Sequence, residues 1–261
     1  MSQVTADGAI TASKKQAEFE RFTAELERRN RERKIHSFYP DEGPLRRGLY
    51  PKHMEFFAAG LTHRERCIMA ANRIGKTEGC GGYETTLQCT GDYPYWWPGR
   101  KFDRPIAAWA AGKTNETTRD IIQRKLLGQI TGSGSSKKNV DGTGLIPAEM
   151  LGKPTWKQGV ADFVDTIPVL HGPSRRWTTL GFKSYQQGSG SFEGTEQDLI
   201  WLDEEPDMSI YGECLIRTAT TNGMIMLTFT PLLGLSKVVM SFLPAEATPG
   251  YDDDVVRTDL G

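Results

Sequence analysis

The stretch Ile68-Met69-Ala70-Ala71-Asn72-Arg73-Ile74-Gly75-Lys76-Thr77 decides how this chain is read. An apolar run enters a turn of small and polar residues that closes on Gly-Lys-Thr, and Glu78-Gly79-Cys80-Gly81-Gly82 continues beyond it. A strand, a tight turn of backbone N–H groups and a helix N-terminus make a phosphate-binding loop, because unpaired amides and the helix dipole converge on an anion. Lys76 would neutralise the β- and γ-phosphates, and the Thr77 hydroxyl would hold Mg²⁺. Gly75 lets the backbone approach where a Cβ would block the phosphate. One position departs from G-x-x-x-x-G-K-[ST], since Ala70 stands where the first glycine is usual. Gly-Lys-Thr alone also suits an ordinary surface turn, so the reading needs a second segment.

That segment is Leu199-Ile200-Trp201-Leu202-Asp203-Glu204-Glu205-Pro206, four apolar residues ending in carboxylates. A short, wholly apolar run suits a central parallel strand buried on both faces. Its carboxylates then emerge at the C-terminal end of the sheet, where open α/β sheets bind ligands. Asp203 would reach Mg²⁺ or its water beside Thr77, and Glu204 would polarise the water that attacks the γ-phosphate. The plainer alternative is an acidic turn with Asp203 capping the next helix.

The 32 Lys and Arg nearly balance 33 Asp and Glu, so any nucleic-acid surface must be a local patch. Cys67, Cys80, Cys89 and Cys214 have no C-x-x-C spacing, which favours free thiols over a zinc site or a disulfide framework. No signal peptide and no apolar run of membrane-spanning length is found.

Along the chain, residues 1–12 read as a polar tail and 13–34 as a charged helix with Phe19, Phe22 and Leu26 on one stripe. Its Arg-rich second half is either a solvated face or a face for nucleic acid or a partner. The turn cluster Tyr39–Pro44 marks a boundary, dividing an N-terminal extension (1–44) from a main domain (45–245) and a C-terminal linker (246–261). Lys52–Gly60 reads as a short helix whose Phe56 or Phe57 either stacks on a base or fills the core. A helix from Thr77 to about Gln88, a strand over Pro105–Ala111 and a helix over Asn115–Leu127 follow, the last capped by Thr114 or Asn115. The aromatic loop Tyr93–Arg100 could stack bases or plug a hydrophobic gap. Thr131–Gly144 reads as a flexible loop carrying two lysines, and Asp162–Leu170 with Arg176–Ser184 as a hairpin. Met224–Thr230 is a last apolar strand ending Thr228-Phe229-Thr230-Pro231. None of the four histidines is assigned a catalytic role.

This order places an extra strand between the one bearing Lys76 and the one bearing Asp203. The expected fold is therefore α/β, a P-loop NTPase of the additional-strand, catalytic-glutamate type, with a mostly parallel central sheet flanked by helices. No N-K-x-D guanine-reading motif is found, so ATP is the expected nucleotide. Thr228 and Thr230 would reach the γ-phosphate side and sense hydrolysis.

The chain resembles the N-terminal ATPase domain of the terminase large subunit, the DNA-packaging motor of tailed bacteriophages. The resemblance rests on His53–Gly60 with Arg64–Glu78, Trp97–Phe102, Ala110–Arg119, Gly181–Tyr185, Phe192–Thr195, Trp201–Pro206 and Leu227–Pro231. Members of that family often carry an arginine inside the phosphate loop, which matches Arg73 and accounts for Ala70. The resemblance implies Asn72, Arg73, Ile74, Gly75, Lys76, Thr77 and Glu78 as the nucleotide-binding set. It implies Glu204, Lys76 and Arg73 as catalytic residues, Thr77 and Asp203 as Mg²⁺ ligands, and Thr228–Thr230 as the coupling motif. In the family a small residue often stands between the two hydroxyls, where this chain has Phe229.

The implied partners are double-stranded DNA, gripped by its phosphates without regard to sequence, a portal protein and a small terminase subunit. A homo-oligomeric ring is expected in the assembled machine, with a monomer in isolation also allowed. The implied location is the host bacterial cytoplasm, transiently docked on a procapsid, with no membrane partner. The RNase H-like nuclease that usually follows is not expected in this chain, and Asp252-Asp253-Asp254 reads as linker; excision is the favoured explanation. Arg100, Arg104, Arg119 and Arg217 are all open as the arginine supplied to a neighbour. A helicase-like remodelling ATPase and a nucleotide-binding assembly switch with little turnover remain as rivals.

Overall fold

The computed structural model describes residues 15–16, 18–21, 33–132, 138–232 and 234–244. The tail at 1–12, the linker at 246–261 and most of the charged helix at 13–34 lie outside them, although 15–16 and 18–21 are helical.

Helix α1 (Pro51–Ala59) leads into strand β1 (Glu65–Met69), which feeds the phosphate loop. A wide-wound π-helical segment, Lys76–Gly82, then continues into α2 (Tyr83–Thr90). Strand β2 (Ala107–Gly112) is followed by α3 (Asn115–Thr117), a second π-helical segment (Thr118–Gln123) and α4 (Arg124–Leu127), with Thr114 capping α3 through a capping box. The short strands β3 (Ile130–Thr131) and β4 (Asn139–Val140) precede β5 (Thr155–Trp156), β6 (Val164–His171) and β7 (Arg176–Ser184). Strand β8 (Leu199–Asp203), helix α5 (Met208–Ala219), strand β9 (Met224–Phe229) and helix α6 (Lys237–Ser241) complete the described fold.

Seven strands form one sheet in the order β1-β9-β8-β2-β7-β6-β5. The first five run parallel, and β6 and β5 add on antiparallel. One strand separates the loop strand from the carboxylate strand, as expected, and it is β9. All five residues of β8 and all six of β9 are buried, and period-2 alternation divides them between two cores. Leu199, Trp201, Met224 and Met226 face α1, α2 and α4, whereas Ile200, Leu202, Ile225, Leu227 and Phe229 face α5 and α6. Full burial of each large apolar side chain contributes about 1.5–3 kcal/mol, so a two-faced central strand fixes its register strongly.

Packing decides several alternatives that the sequence leaves open. Phe56 and Phe57 are both buried among core aromatics, so neither offers a ring to a base. In the aromatic loop, Trp97 fills the gap beside Phe57 at a ring separation of 4.8 Å, while Tyr95 stays exposed and hydrogen-bonds Asp41. Thr131–Gly144 is not wholly loose. Its ends pair as β3 and β4, and Leu145 and Ile146 donate to the carbonyls of Lys125 and Leu126, drawing Gly144 against the backbone of Leu126. Residues 133–137 lie outside the described set. Ile35 and Tyr39, from the segment assigned to the N-terminal extension, join the core. The four cysteines are free. Among the described residues no helix is long and apolar enough to cross a membrane.

Candidate nucleotide site

The phosphate loop leaves β1 and turns back at two left-handed residues, Arg73 (φ +67°) and Gly75 (φ +87°). Such a φ suits glycine and is costly for arginine. Beyond Gly75 the amides of Gly79 and Cys80 both bond its carbonyl, at 2.6 and 3.3 Å, which widens the first helical turn. The segment 76–82 packs directly beneath the sheet because it is glycine-rich. A Cβ at Gly81 would stand 2.1 Å from the Trp201 indole.

Lys76 is only 5% exposed, and its ammonium is satisfied by the loop and by the end of β9. Its Nζ donates to Thr230 Oγ1 at 2.8 Å and to the Ala71 carbonyl at 3.3 Å, with Asn72 Oδ1 at 3.5 Å. Thr77 Oγ1 donates to Asp203 Oδ1 at 3.0 Å, which brings the hydroxyl and the carboxylate of the two sequence motifs together. The same carboxylate oxygen accepts from Thr228 Oγ1 at 2.7 Å, and Thr228 accepts in turn from Trp201 Nε1 at 2.8 Å. Burial pushes the Asp203 carboxyl up to about 6, against the hydrogen bonds from Thr228 and Thr77.

The threonines on either side of Phe229 therefore both point to the site, one to Asp203 and one to Lys76. Phe229 alternates away and packs in the core beneath α5 and α6. This fixes the register of the Thr-Phe-Thr segment and leaves the aromatic residue outside the site.

Glu204 is half-buried and sits in the left-handed region at φ +66°. Its amide donates to the Thr228 carbonyl at 3.0 Å, which ties the turn after β8 to β9. Glu78 is engaged elsewhere. Although burial opposes it, the ammonium groups of Lys125 and Lys34 hold its carboxyl below the usual range, at 2.7 and 2.5 Å. Its carboxylate thus braces the loop against α4, and only its backbone is left for phosphate.

Beside the loop lies a pocket of about 520 Å³ lined by Phe38, Tyr39, Tyr50, His53, Arg73 and Ile74 among others. Sequence reasoning missed two residues here. Tyr39 Oη lies 2.7 Å from His53 Nδ1 and donates to the Gly79 carbonyl at 2.9 Å, so both residues support the loop from below. They stand 14 residues apart, with Tyr39 standing 40 from Gly79, and no local pattern joins them.

Of the four arginines left open, three lie at the opposite rim of the sheet. Arg104 pairs with Asp198 at the start of β8, Arg100 donates to the Asn222 carbonyl before β9, and the Arg217 carbonyl accepts from Gln197. Arg119, beyond the C-terminal end of β2, is on the same side as the loop and bonds Asp120 and the Ala161 carbonyl.

Fold and site together define a P-loop nucleotide-binding protein whose acidic strand is one strand removed from the loop. Residues 67–254 match the family model for the terminase large subunit, T4likevirus-type, N-terminal. The chain belongs to that family. It is 37% identical over 212 residues to the terminase large subunit of Salmonella phage P22, covering 74% of this chain and 41% of that protein. The chain thus spans about two fifths of the length of this curated relative. Among solved structures it is similar to the large terminase ATPase domain of Thermus phage P74-26, with 15% identity, a TM-score of 0.46, and coverage of 73% of this chain and 70% of that one. It is also similar to the large terminase of another thermophilic bacteriophage, solved in complex with ADP, with 12% identity, a TM-score of 0.41, and coverage of 73% and 47%.

Proposed function

We propose that this chain is the ATP-hydrolysing motor portion of a terminase large subunit, with residues 45–245 as the motor unit. The observation that carries the reading is the meeting of Lys76, Thr77, Asp203 and Thr230 at one rim of the sheet, with Glu204 following Asp203. ATP would seat its phosphates on the amides of the loop from Asn72 to Glu78, with Lys76 leaving Thr230 to meet them. The purine would enter the pocket bounded by Tyr50, His53 and Ile74.

The donor set fits Mg²⁺. Thr77 and Asp203 present hard oxygens 3.0 Å apart, a donor pair that suits an ion completed by phosphates and water. Bound there, Mg²⁺ would supply charge neutralisation for the β- and γ-phosphate oxygens. Asp203 would then be ionised, with its burial offset by the cation.

Glu204 would orient the attacking water and take its proton, and Arg73 would meet charge developing on the phosphates. Loss of the γ-phosphate would return Lys76 to Thr230. Because Thr228 and Thr230 terminate one strand, a change at either is felt along β9, a route to the DNA-gripping surface. Family membership supports double-stranded DNA, a portal protein, a small terminase subunit and neighbouring copies of the chain as partners. Action in the host cytoplasm, transiently docked on a procapsid, belongs to the same proposal.

The test is steady-state ATP hydrolysis at several protein concentrations, with and without double-stranded DNA, beside Glu204→Gln. Turnover that rises with DNA or concentration and vanishes in Glu204→Gln is the expected result. Undiminished turnover in Glu204→Gln would remove that residue from the mechanism. Tight ATP binding with no turnover in either protein would favour the assembly switch.

A further inference from the structure

The left-handed backbone of Glu204 needs a restraint, because a non-glycine residue relaxes out of that conformation unless its neighbours hold it. Its amide is held by the Thr228 carbonyl. The other half of the restraint comes from a distant element. Tyr185, just beyond the end of β7, reaches across β2 and places its hydroxyl 2.9 Å from the Asp203 carbonyl and 2.9 Å from the Glu204 carbonyl. One O–H is thereby shared between two consecutive carbonyls that the left-handed turn has brought to the same side.

We propose that Tyr185 is a positioning residue for hydrolysis, clamping the Asp203–Glu204 backbone and so setting the direction in which Glu204 presents its carboxylate. The phenol is buried, and its ring packs beside Phe192, which packs edge-on against Trp109. The clamp is therefore aimed by two further aromatic rings, Phe192 directly and Trp109 behind it.

Its base is also fixed. Ser184 Oγ and Gln187 Nε2, flanking Tyr185, both donate to Asn115 Oδ1 at 2.8 Å, and Lys157 Nζ donates to Gln187 Oε1 at 2.6 Å. Gln186, Gly188 and Gly190 in the same loop are exposed at this rim. Whatever moves that loop moves the phenol, and with it the Glu204 carbonyl. Tyr185 touches neither nucleotide nor water in this scheme; it acts through Glu204.

This inference rests on Glu204 as the residue that activates water, and its test separates the two. Tyr185→Phe keeps the ring and removes the clamp. Displacement of a catalytic group by about 1 Å costs on the order of 100-fold, so kcat should fall about 10- to 100-fold. The affinity for a fluorescent ATP analogue should stay within about twofold, because the loop 72–78 is untouched.

A second readout needs no turnover. The Glu204 amide, which donates to Thr228, should exchange its hydrogen faster in Tyr185→Phe, while amides of β1 keep their protection. Unchanged exchange at Glu204 overturns the proposal whatever the turnover. So does a kcat within about twofold of the parent chain, or a fall in kcat matched by an equal loss of affinity. If Glu204→Gln retains full turnover, the functional reading fails first; if it abolishes turnover and Tyr185→Phe does not, only the clamp fails.

Discussion

Asp203→Asn should make the nucleotide-free protein more stable while destroying its activity. The carboxyl is buried with two hydroxyl donors and only a weak pull from the Lys76 charge, and burial raises it from 3.8 to about 6. A carboxyl that binds its proton more tightly in the folded state than in the unfolded state stabilises the fold below pH 3.8 and loses that contribution as pH rises to about 6. Above that pH the ionised group costs the fold a constant amount. At 1.36 kcal/mol per pH unit, a rise of about two units corresponds to about 3 kcal/mol. Asparagine retains an Oδ1 that accepts from Thr77 and Thr228, so the hydrogen bonds survive while the buried charge is gone. For a chain of this size about 3 kcal/mol is worth roughly 6–12 °C in melting temperature. The assay is thermal unfolding in EDTA without nucleotide, from pH 4 to pH 8, for both proteins. The asparagine protein should melt higher at pH 7.5, and the difference should shrink towards pH 4. Adding Mg-ATP should then raise the parent and leave the variant behind. A variant that melts no higher at pH 7.5, or whose advantage is the same at pH 4, would refute the reasoning.

Two further perturbations test the frame around the site. Arg66 and Glu84 form a buried bidentate pair at 2.8 and 3.0 Å, with Arg66 also donating to the Phe56 carbonyl; Glu84→Ala leaves a buried guanidinium unpaired and should cost about 3–5 kcal/mol by urea denaturation. Gly81→Ala drives a Cβ into the Trp201 indole and should cost about 1–3 kcal/mol and weaken nucleotide binding, since the loop helix must shift; Trp201→Phe in the same chain should restore part of the stability.

Much of this architecture is legible because its signals are local. The apolar run Leu199–Leu202 suits a strand buried on both faces, and Gly75-Lys76-Thr77 serves phosphate if a helix starts there. The order of motifs calls for a strand between them, and the sheet shows that strand to be β9. The supports are illegible for the opposite reason. Tyr39, His53 and Gly79 meet through a fold that brings distant segments together, and Tyr185 reaches Glu204 over an intervening strand. A tyrosine that ends a strand looks the same in sequence whether it clamps a carbonyl or faces water. Phe56 and Phe57 show the converse, since base stacking and core packing are both open in sequence until burial decides for the core. The Thr131–Gly144 segment misleads through its glycines, because Gly144 serves close approach to Leu126 rather than looseness.

The alternation along β9 also divides the labour of mutation. Thr228 and Thr230 belong to the nucleotide rim, while Ile225, Leu227 and Phe229 belong to the layer under α5 and α6. A change in bulk at Phe229 is therefore absorbed by helices that do not touch the phosphate loop. Two selective pressures, one on chemistry and one on melting temperature, can act on neighbouring positions of a single strand without trading against each other.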